Sequence, residues 1–414
     1  MGSNKKYSGY EAYQYLEPKI DYEEVELADA IRDDWAYTIP LSKTEEERFQ
    51  DIIEKNIIID LHEHPVLHRK DMYSQQRSEG REFLAYESLS KSGIDCVFDN
   101  MMNGGCIITS KHGNHWNDVI QNLGMRLCDI DHQDFVILCK KVSDIEEAYN
   151  TGKLAWVAVT ETLNCIENEV DRIDVLSGLG IRSAGLTYSE SNMLGSGLKE
   201  RGDSGLTEFG YDCVIRMNKV GMLIDVSHCG DKTALDAIEM SRKPIIISHC
   251  GSRTLTPSRS KRMLPDDVLK TLAEKNGVLG VEMAGAMIST EKNPVANIEA
   301  YMEQIEYCIE LLGIDHVGCG PDTLYGDHIE LYRAGGATSK IRGLGHAMSP
   351  DSEKGETLGI SMDLAKLPDY VEGMENPTES MRNILRWLIK HGYSDQEISK
   401  IIGGNALRLL REVW

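Results

Sequence analysis

The stretch Ile57-Ile58-Ile59-Asp60-Leu61-His62-Glu63-His64-Pro65 decides how the rest of the 414-residue chain is read. Three consecutive isoleucines describe a strand buried on both faces, as in a parallel sheet covered by helices. An acidic residue ends the apolar run, and two histidines follow at i and i+2. In extended backbone such residues point to one side. His62 and His64 can therefore aim both imidazoles at one point just past the strand end. Neutral imidazole is the commonest metal-ligating side chain. Taken alone, His-x-His describes a polar strand terminus with two surface histidines just as well. Ligand types at other strand ends decide between the two.

Seven further apolar runs follow: Ile94–Phe98, Leu154–Val159, Ser183–Tyr188, Met222–Ser227, Pro244–Ser248, Gly277–Glu282 and His316–Gly320. The segments between them have helical patterning. Phe209, Cys213, Met217 and Val220 share one face of 208–220, and 296–312 is amphipathic. Thr44 with Glu47 predicts a capping box opening a helix to about Lys55; Asp231 predicts an N-cap for a helix to about Met240. Pro265-Asp266-Asp267 opens another helix, with acids where the dipole favours them. Eight strands alternating with helices imply a parallel (β/α)8 barrel, the TIM-barrel architecture. A doubly wound open sheet is the alternative, but no Gly-rich phosphate loop follows the first strand. Residues 1–43, acidic and Tyr-rich, read as an N-terminal arm; 44–414 reads as the barrel. An insertion at about 325–372, rich in Gly, Ser, Asp and Lys, interrupts it, and helices at about 378–391 and from Ser394 close it. The insertion falls after strand eight, where a lid, a dimer loop or an inert surface excursion would all fit.

The formal net charge of −23 repels phosphates and argues against nucleic acid or an anionic membrane as partner. Composition is that of a soluble globular protein, 41% hydrophobic and 27% charged. Ten cysteines, at 96, 106, 128, 139, 165, 213, 229, 250, 308 and 319, form no C-x-x-C pair. They read as scattered thiols in a reducing compartment, so the expectation is a cytoplasmic protein. No apolar run approaches the ~20 residues of a spanning helix, and the polar N-terminus carries no signal core.

The ligand types then fall into register. His62 and His64 leave strand one, Glu161 strand three, His228 strand five, His249 strand six and Asp322 strand eight. All stand at C-terminal strand ends, where barrel active sites form. The pattern suggests two ions, one held by each histidine pair, with Glu161 bridging through its two oxygens. Ions ~3.5–4 Å apart lower the pKa of water toward neutral, and Asp322 is placed to move its proton. Nitrogen and carboxylate ligands without thiolate suit zinc, with manganese or iron not excluded. Cys229 and Cys250, next to ligand histidines, would point away from the ligand face and read as core. The remaining histidines (68, 112, 115, 132, 316, 328, 346, 391) default to structural or surface roles, with His68 and His115 as candidate pocket-wall residues.

The chain resembles the membrane (renal) dipeptidase family, peptidase family M19 of the amidohydrolase superfamily, from about residue 45 to 412. The resemblance is carried by Asp144-Ile145-Glu146 with Gly152-Lys153, Gly180-Ile181-Arg182 and Leu206-Thr207-Glu208-Phe209-Gly210. It continues through Met222–His228, Ile247-Ser248-His249, Pro265-Asp266-Asp267, Gly373–Pro377 and Gly403-Gly404-Asn405. It implies a dipeptide or related small amide as substrate and a homodimer. It implies Glu161 as bridging carboxylate, His62 on the first metal, His228 and His249 on the second, and Asp322 as acid/base. It further implies Arg262 as the group holding the substrate's carboxylate, which a guanidinium binds bidentately. The spacing from His249 is two residues longer than the family's, which makes Arg259 a rival. Two departures stand out. His64 occupies the place of a family aspartate, and Tyr188 that of a histidine that polarises the scissile carbonyl. A phenol still donates a hydrogen bond to an oxyanion, so Tyr188 is expected to bind substrate and assist catalysis. These departures keep two rivals open: a non-peptide amidohydrolase (lactonase, cyclic amidase or deaminase), and a metal-binding homologue without turnover.

Overall fold

The computed structural model describes residues 6–29, 37–71, 81–101, 114–256, 261–283, 288–327, 329–330, 368 and 370–414. Helix α1 (Lys43–Lys55) leads into strand β1 (Ile59–Leu67). Then come β2 (Phe83–Leu84), α2 (Tyr86–Ser92), β3 (Cys96–Met101), α3 (Trp116–Ile130), β4 (Val136–Leu138), α4 (Val142–Thr151), β5 (Leu154–Thr160) and α5 (Arg172–Leu179). The alternation continues through β6 (Ile181–Gly185), α6 (Glu208–Val220), β7 (Leu223–Asp225), α7 (Asp231–Met240), β8 (Ile246–Cys250), α8 (Asp266–Glu274), β9 (Val278–Val281) and α9 (Ile298–Leu312). The chain ends with β10 (Val317–Cys319), β11 (Leu324–Tyr325), α10 (Pro377–Lys390), α11 (Asp395–Ser399) and α12 (Asn405–Val413).

Strand order is β10-β9-β8-β7-β6-β5-β3-β1-β11, and the neighbours along it are parallel. The two ends of this sheet are halves of one segment, 317–325. Its first half pairs with β9 and its second with β1, and Asp322 N donates to His62 O at 3.2 Å between them. The sheet thereby curls back on itself as an α/β barrel, and each of the eight apolar runs supplies one strand. Two short strands lie off this path: β2 runs antiparallel to β1, and β4 pairs with β5.

Period-2 alternation divides the strand side chains into two sets, both buried. Ile58, Val97, Trp156, Ile224 and Ile247 meet the outer helices; Ile59, Leu61, Phe98, Val157, Leu223 and Ile246 pack inside with Leu407, Leu410 and Val413 of α12. Each such aliphatic side chain contributes roughly 1.5–3 kcal/mol on burial. This double burial is why the strands read as unbroken apolar runs.

Several boundaries differ from expectation. β1 starts at Ile59 rather than Ile57 and continues past both histidines. Pro65 can sit in it because only its carbonyl is needed there, accepting from Ala85 N at 2.9 Å. The capping box of α1 is Ser42 with Glu45, not Thr44 with Glu47: Ser42 has extended backbone, and Ser42 N donates to the Glu45 carboxylate at 2.7 Å. Asp231 is the first helical residue of α7, with Gly230 as its N-cap. The N-terminal arm is tied down by buried Asp129 of α3, which accepts from Tyr10 Oη and Tyr13 N at 2.7 Å and from Tyr86 Oη at 2.8 Å. Of the insertion at 325–372, most residues lie outside those described, as do Cys106, His112, Arg259, His328 and His346. The nine described cysteines are free thiols. No described helix is long and apolar enough to cross a membrane.

Candidate metal centre

Parallel pairing puts all C-terminal strand ends at one rim of the barrel, and the six ligand-type residues named above meet there. His62 and His64 lie within β1, Glu161 follows β5, His228 lies beyond β7, His249 is in β8, and Asp322 links β10 to β11. Two groups form. In the first, Asp322 Oδ1 lies 3.4 Å from Nε2 of both His62 and His64. In the second, Glu161 Oε1 lies 3.2 Å from His228 Nε2 and 3.5 Å from His249 Nε2. Glu161 Oε1 is also 3.7 Å from His62 Nε2, and the His62 and His249 rings stack at 3.4 Å, so the groups are contiguous.

Close backbone packing makes this convergence feasible. A Cβ on Gly185 would stand 2.0 Å from the Glu161 carbonyl oxygen, and one on Gly320 would stand 2.0 Å from that of Ser248. Asp322 has φ +57°, a left-handed conformation that Asp tolerates better than most residues.

The imidazoles are oriented from behind. His64 Nδ1 donates to Asn100 O at 2.9 Å, so that in the neutral ring Nε2 turns its lone pair toward the site. Buried Asp225 accepts from Ser227 Oγ at 2.6 Å and from Ser248 Oγ. With its proton so committed, Ser248 Oγ accepts from His249 Nδ1 at 2.8 Å and lies 3.3 Å from His62 Nδ1. One hydroxyl thus touches a histidine from each group. Replacing Ser248 with Ala is expected to weaken divalent-metal affinity roughly 10–100-fold, as loss of such a partner does; competition against a chromophoric chelator measures it.

The donor set fits a divalent cation. His62 Nε2 and Glu161 Oε2 are buried without a hydrogen-bond partner, and His228 Nε2 and His249 Nε2 face each other at 2.9 Å. Burial would raise Glu161, but its histidine neighbours hold it well below the usual carboxylate range. Asp322 is held down likewise by His62 and His64. Burial and the Arg262 charge lower His228; burial, His62 and Arg262 lower His249. Ionised carboxylates and neutral imidazoles are the forms a cation needs. His64 goes the other way: burial lowers it, yet Asp322 and Glu161 outweigh that and push it up to about 9.

Tyr188 stands past the end of β6 with its ring stacked on His228 at 4.1 Å. Arg262 is buried and ion-paired with Glu282. Cys229 and Cys250 are buried behind the site; Thr187 Oγ1 donates to Cys229 Sγ at 3.3 Å. His68 is buried where β1 meets β11, its N donating to Tyr325 O. His115 lines a recess of about 370 Å3 with Asn164 and Asn192. His132, His316 and His391 make ring or backbone contacts away from the site.

Two carboxylates escaped the sequence reading. Asp225 groups with His62 and His249, and Glu282 with His249 and Asp322. Glu282 ends an apolar run, so the rule that found Glu161 would have found it; Asp225 stands inside the run Met222–Ser227.

A parallel α/β barrel whose C-terminal rim gathers four histidines and two carboxylates has the architecture of the metal-dependent amidohydrolases. The chain belongs to the membrane dipeptidase family, peptidase family M19, whose model matches residues 46–331 and 355–414. The unmatched residues, 332–354, fall inside the insertion. Dipeptidase tcpJ of Claviceps purpurea is 26% identical over 316 residues, covering 73% of this chain and 64% of its own length. The chain thus spans just under two thirds of that relative. Among solved structures, an amidohydrolase from Pseudomonas aeruginosa superposes with TM-score 0.67 at 24% identity, over 88% of this chain and 99% of its own. A metallopeptidase from Rhodobacter sphaeroides, liganded with a phosphinate mimic of the dipeptide L-Ala-D-Ala, superposes with TM-score 0.61 at 18% identity, over 87% and 100%. These likenesses concern the fold.

Proposed function

We propose that this protein is a metal-dependent hydrolase that cleaves the amide bond of a dipeptide or a related small amide. The observation that carries the reading is Glu161 Oε1, ionised and facing the Nε2 atoms of His62, His228 and His249 at 3.2 to 3.7 Å. Membership of the dipeptidase family supports it, as does the dipeptide mimic held by the Rhodobacter relative. His62 and His64 would hold one ion and His228 and His249 a second, with Glu161 shared. Zinc suits these donors, and bound ions supply Lewis acidity and lower the pKa of water.

The chain's own groups then divide the work. Asp322, ionised at neutral pH, takes the proton from the attacking water and returns it to the leaving nitrogen. Tyr188, held flat against His228, offers its phenol to the oxyanion. Arg262 flanks the second group and would face the C-terminal end of the substrate. A homodimer belongs to the same reading. A second reading, a lactonase, cyclic amidase or deaminase on the same rim, is favoured by Tyr188 and His64 standing where the family has histidine and aspartate. Loss of turnover is disfavoured by the placement of Asp322.

The test is turnover by the zinc-loaded protein on L-L and L-D dipeptides, lactones and cyclic amides, with metal assayed on the same sample. Dipeptide cleavage with two ions per chain is expected. Two ions with cleavage of lactones or cyclic amides but not dipeptides would move the assignment to the second reading, and one ion or none would remove the binuclear site.

A further inference from the structure

We propose that Glu282 is a specificity-determining residue: by neutralising Arg262 it turns the candidate site toward substrates that are uncharged at that end and away from a free terminal carboxylate. The proposal rests on the hydrolase reading above. It begins from where the two residues stand. Arg262 precedes α8 and Glu282 follows β9; they are 2% and 0% exposed. Their side chains form an ion pair. The guanidinium has two further commitments, donating through Nη1 to Ser227 O and through Nη2 to His249 O, both at 3.2 Å. Those carbonyls belong to the backbone that carries the ligand-type histidines His228 and His249. Arg262 is thus already engaged with one carboxylate and two carbonyls beside the second group.

Glu282 is as dependent on Arg262 as the reverse. Among the described residues no group other than the Arg262 guanidinium reaches either of its oxygens. A buried carboxylate with no other partner is stable only beside a cation, and Arg262 is the one it contacts. Burial pushes the Glu282 carboxyl up to about 8, against the downward pull of the Arg262 charge beside it; with Glu282 ionised, the pair brings no net positive charge to the rim. Glu282 also groups with His249 and Asp322, so a carboxylate arriving there would have to displace Glu282 or sit beside it and ionised Asp322. Like charges at that separation in a water-poor site repel strongly. An amide, ester or ring carbonyl meets neither penalty.

The experiment uses the metal-loaded full chain at about pH 9, where Glu282 is ionised, and one dipeptide in two forms, with a free C-terminal carboxylate and with a C-terminal amide. KM and kcat are measured for both, and their affinities by calorimetry. For the wild type the amide should have the equal or lower KM. E282Q leaves Arg262 with an uncompensated charge, and should lower KM for the acid relative to the amide by about 10–100-fold, the worth of one charge-assisted contact, with the kcat ratio unmoved. R262Q/E282Q contains no buried charge at this position and should keep the wild-type acid-to-amide ratio; it decides the matter where E282Q fails to fold. A wild type that prefers the acid by that factor and loses the preference in R262Q/E282Q would overturn the proposal, as would an unchanged ratio in folded E282Q. Absence of turnover with two ions bound would strike the hydrolase reading alone, because calorimetry still reads the acid-to-amide ratio. Binding of neither form would overturn both.

Discussion

Asp322→Asn protein carrying its full complement of metal is expected to turn substrate over about 10²–10⁴ times more slowly than the wild type, the range for losing a general acid/base. The expectation follows from position and charge together. Asp322 Oδ1 is 3.4 Å from Nε2 of both His62 and His64, and those histidines hold the carboxylate ionised despite its burial. An ionised acid of this kind can accept a proton at neutral pH; an amide cannot. Asn is the informative replacement because the backbone here is left-handed, φ +57°, and Asn tolerates that conformation better than Ala does. The measurement is kcat with metal content assayed on the same sample. Undiminished kcat at full metal content would remove Asp322 from the chemistry. A fall in proportion to lost metal would make it a ligand instead.

Glu161→Gln should do more, because it touches both groups. The substitution keeps the shape and removes the one charge that faces three Nε2 atoms. Metal affinity is expected to fall by more than the roughly 100-fold that marks the upper end for a supporting residue, and turnover should vanish with it. Two readouts apply: chelator competition, and the rise in Tm that metal confers on the folded protein through mass action. The wild type should show a metal-dependent rise, and the variant should lose most of it. Retention of both ions with wild-type affinity would refute a shared role for Glu161.

What was legible in the chain follows from how local each signal is. A strand buried on both faces is an unbroken apolar run, and eight such runs could be counted without knowing their neighbours. β4 was missed because Val136–Leu138 is short and pairs only with β5, off the path that closes the sheet. The cap of α1 was displaced by two residues because Ser42-x-x-Glu45 and Thr44-x-x-Glu47 overlap, and backbone conformation alone separates them. Ligand-type residues were found wherever a run stopped at an acid or a histidine. Glu282 obeys the same rule, yet also reads as part of its strand; Asp225 stands inside its run, with Val226 after it.

By itself, then, the sequence determined the alternation of strands and helices, the identity of the six residues at the rim and the resemblance that carries the family. These depend on periodicity and on where apolar runs end, properties of neighbours along the chain. Only the tertiary structure decided what those residues face. It joins the two halves of segment 317–325 to opposite ends of the sheet, and sets Ser248 Oγ against Nδ1 of both His62 and His249. It also buries Arg262 against Glu282. The charge of an arginine can be read from one letter. Whether that charge is spent on a carboxylate from another strand depends on burial and on side-chain direction, and those exist only once the barrel has closed.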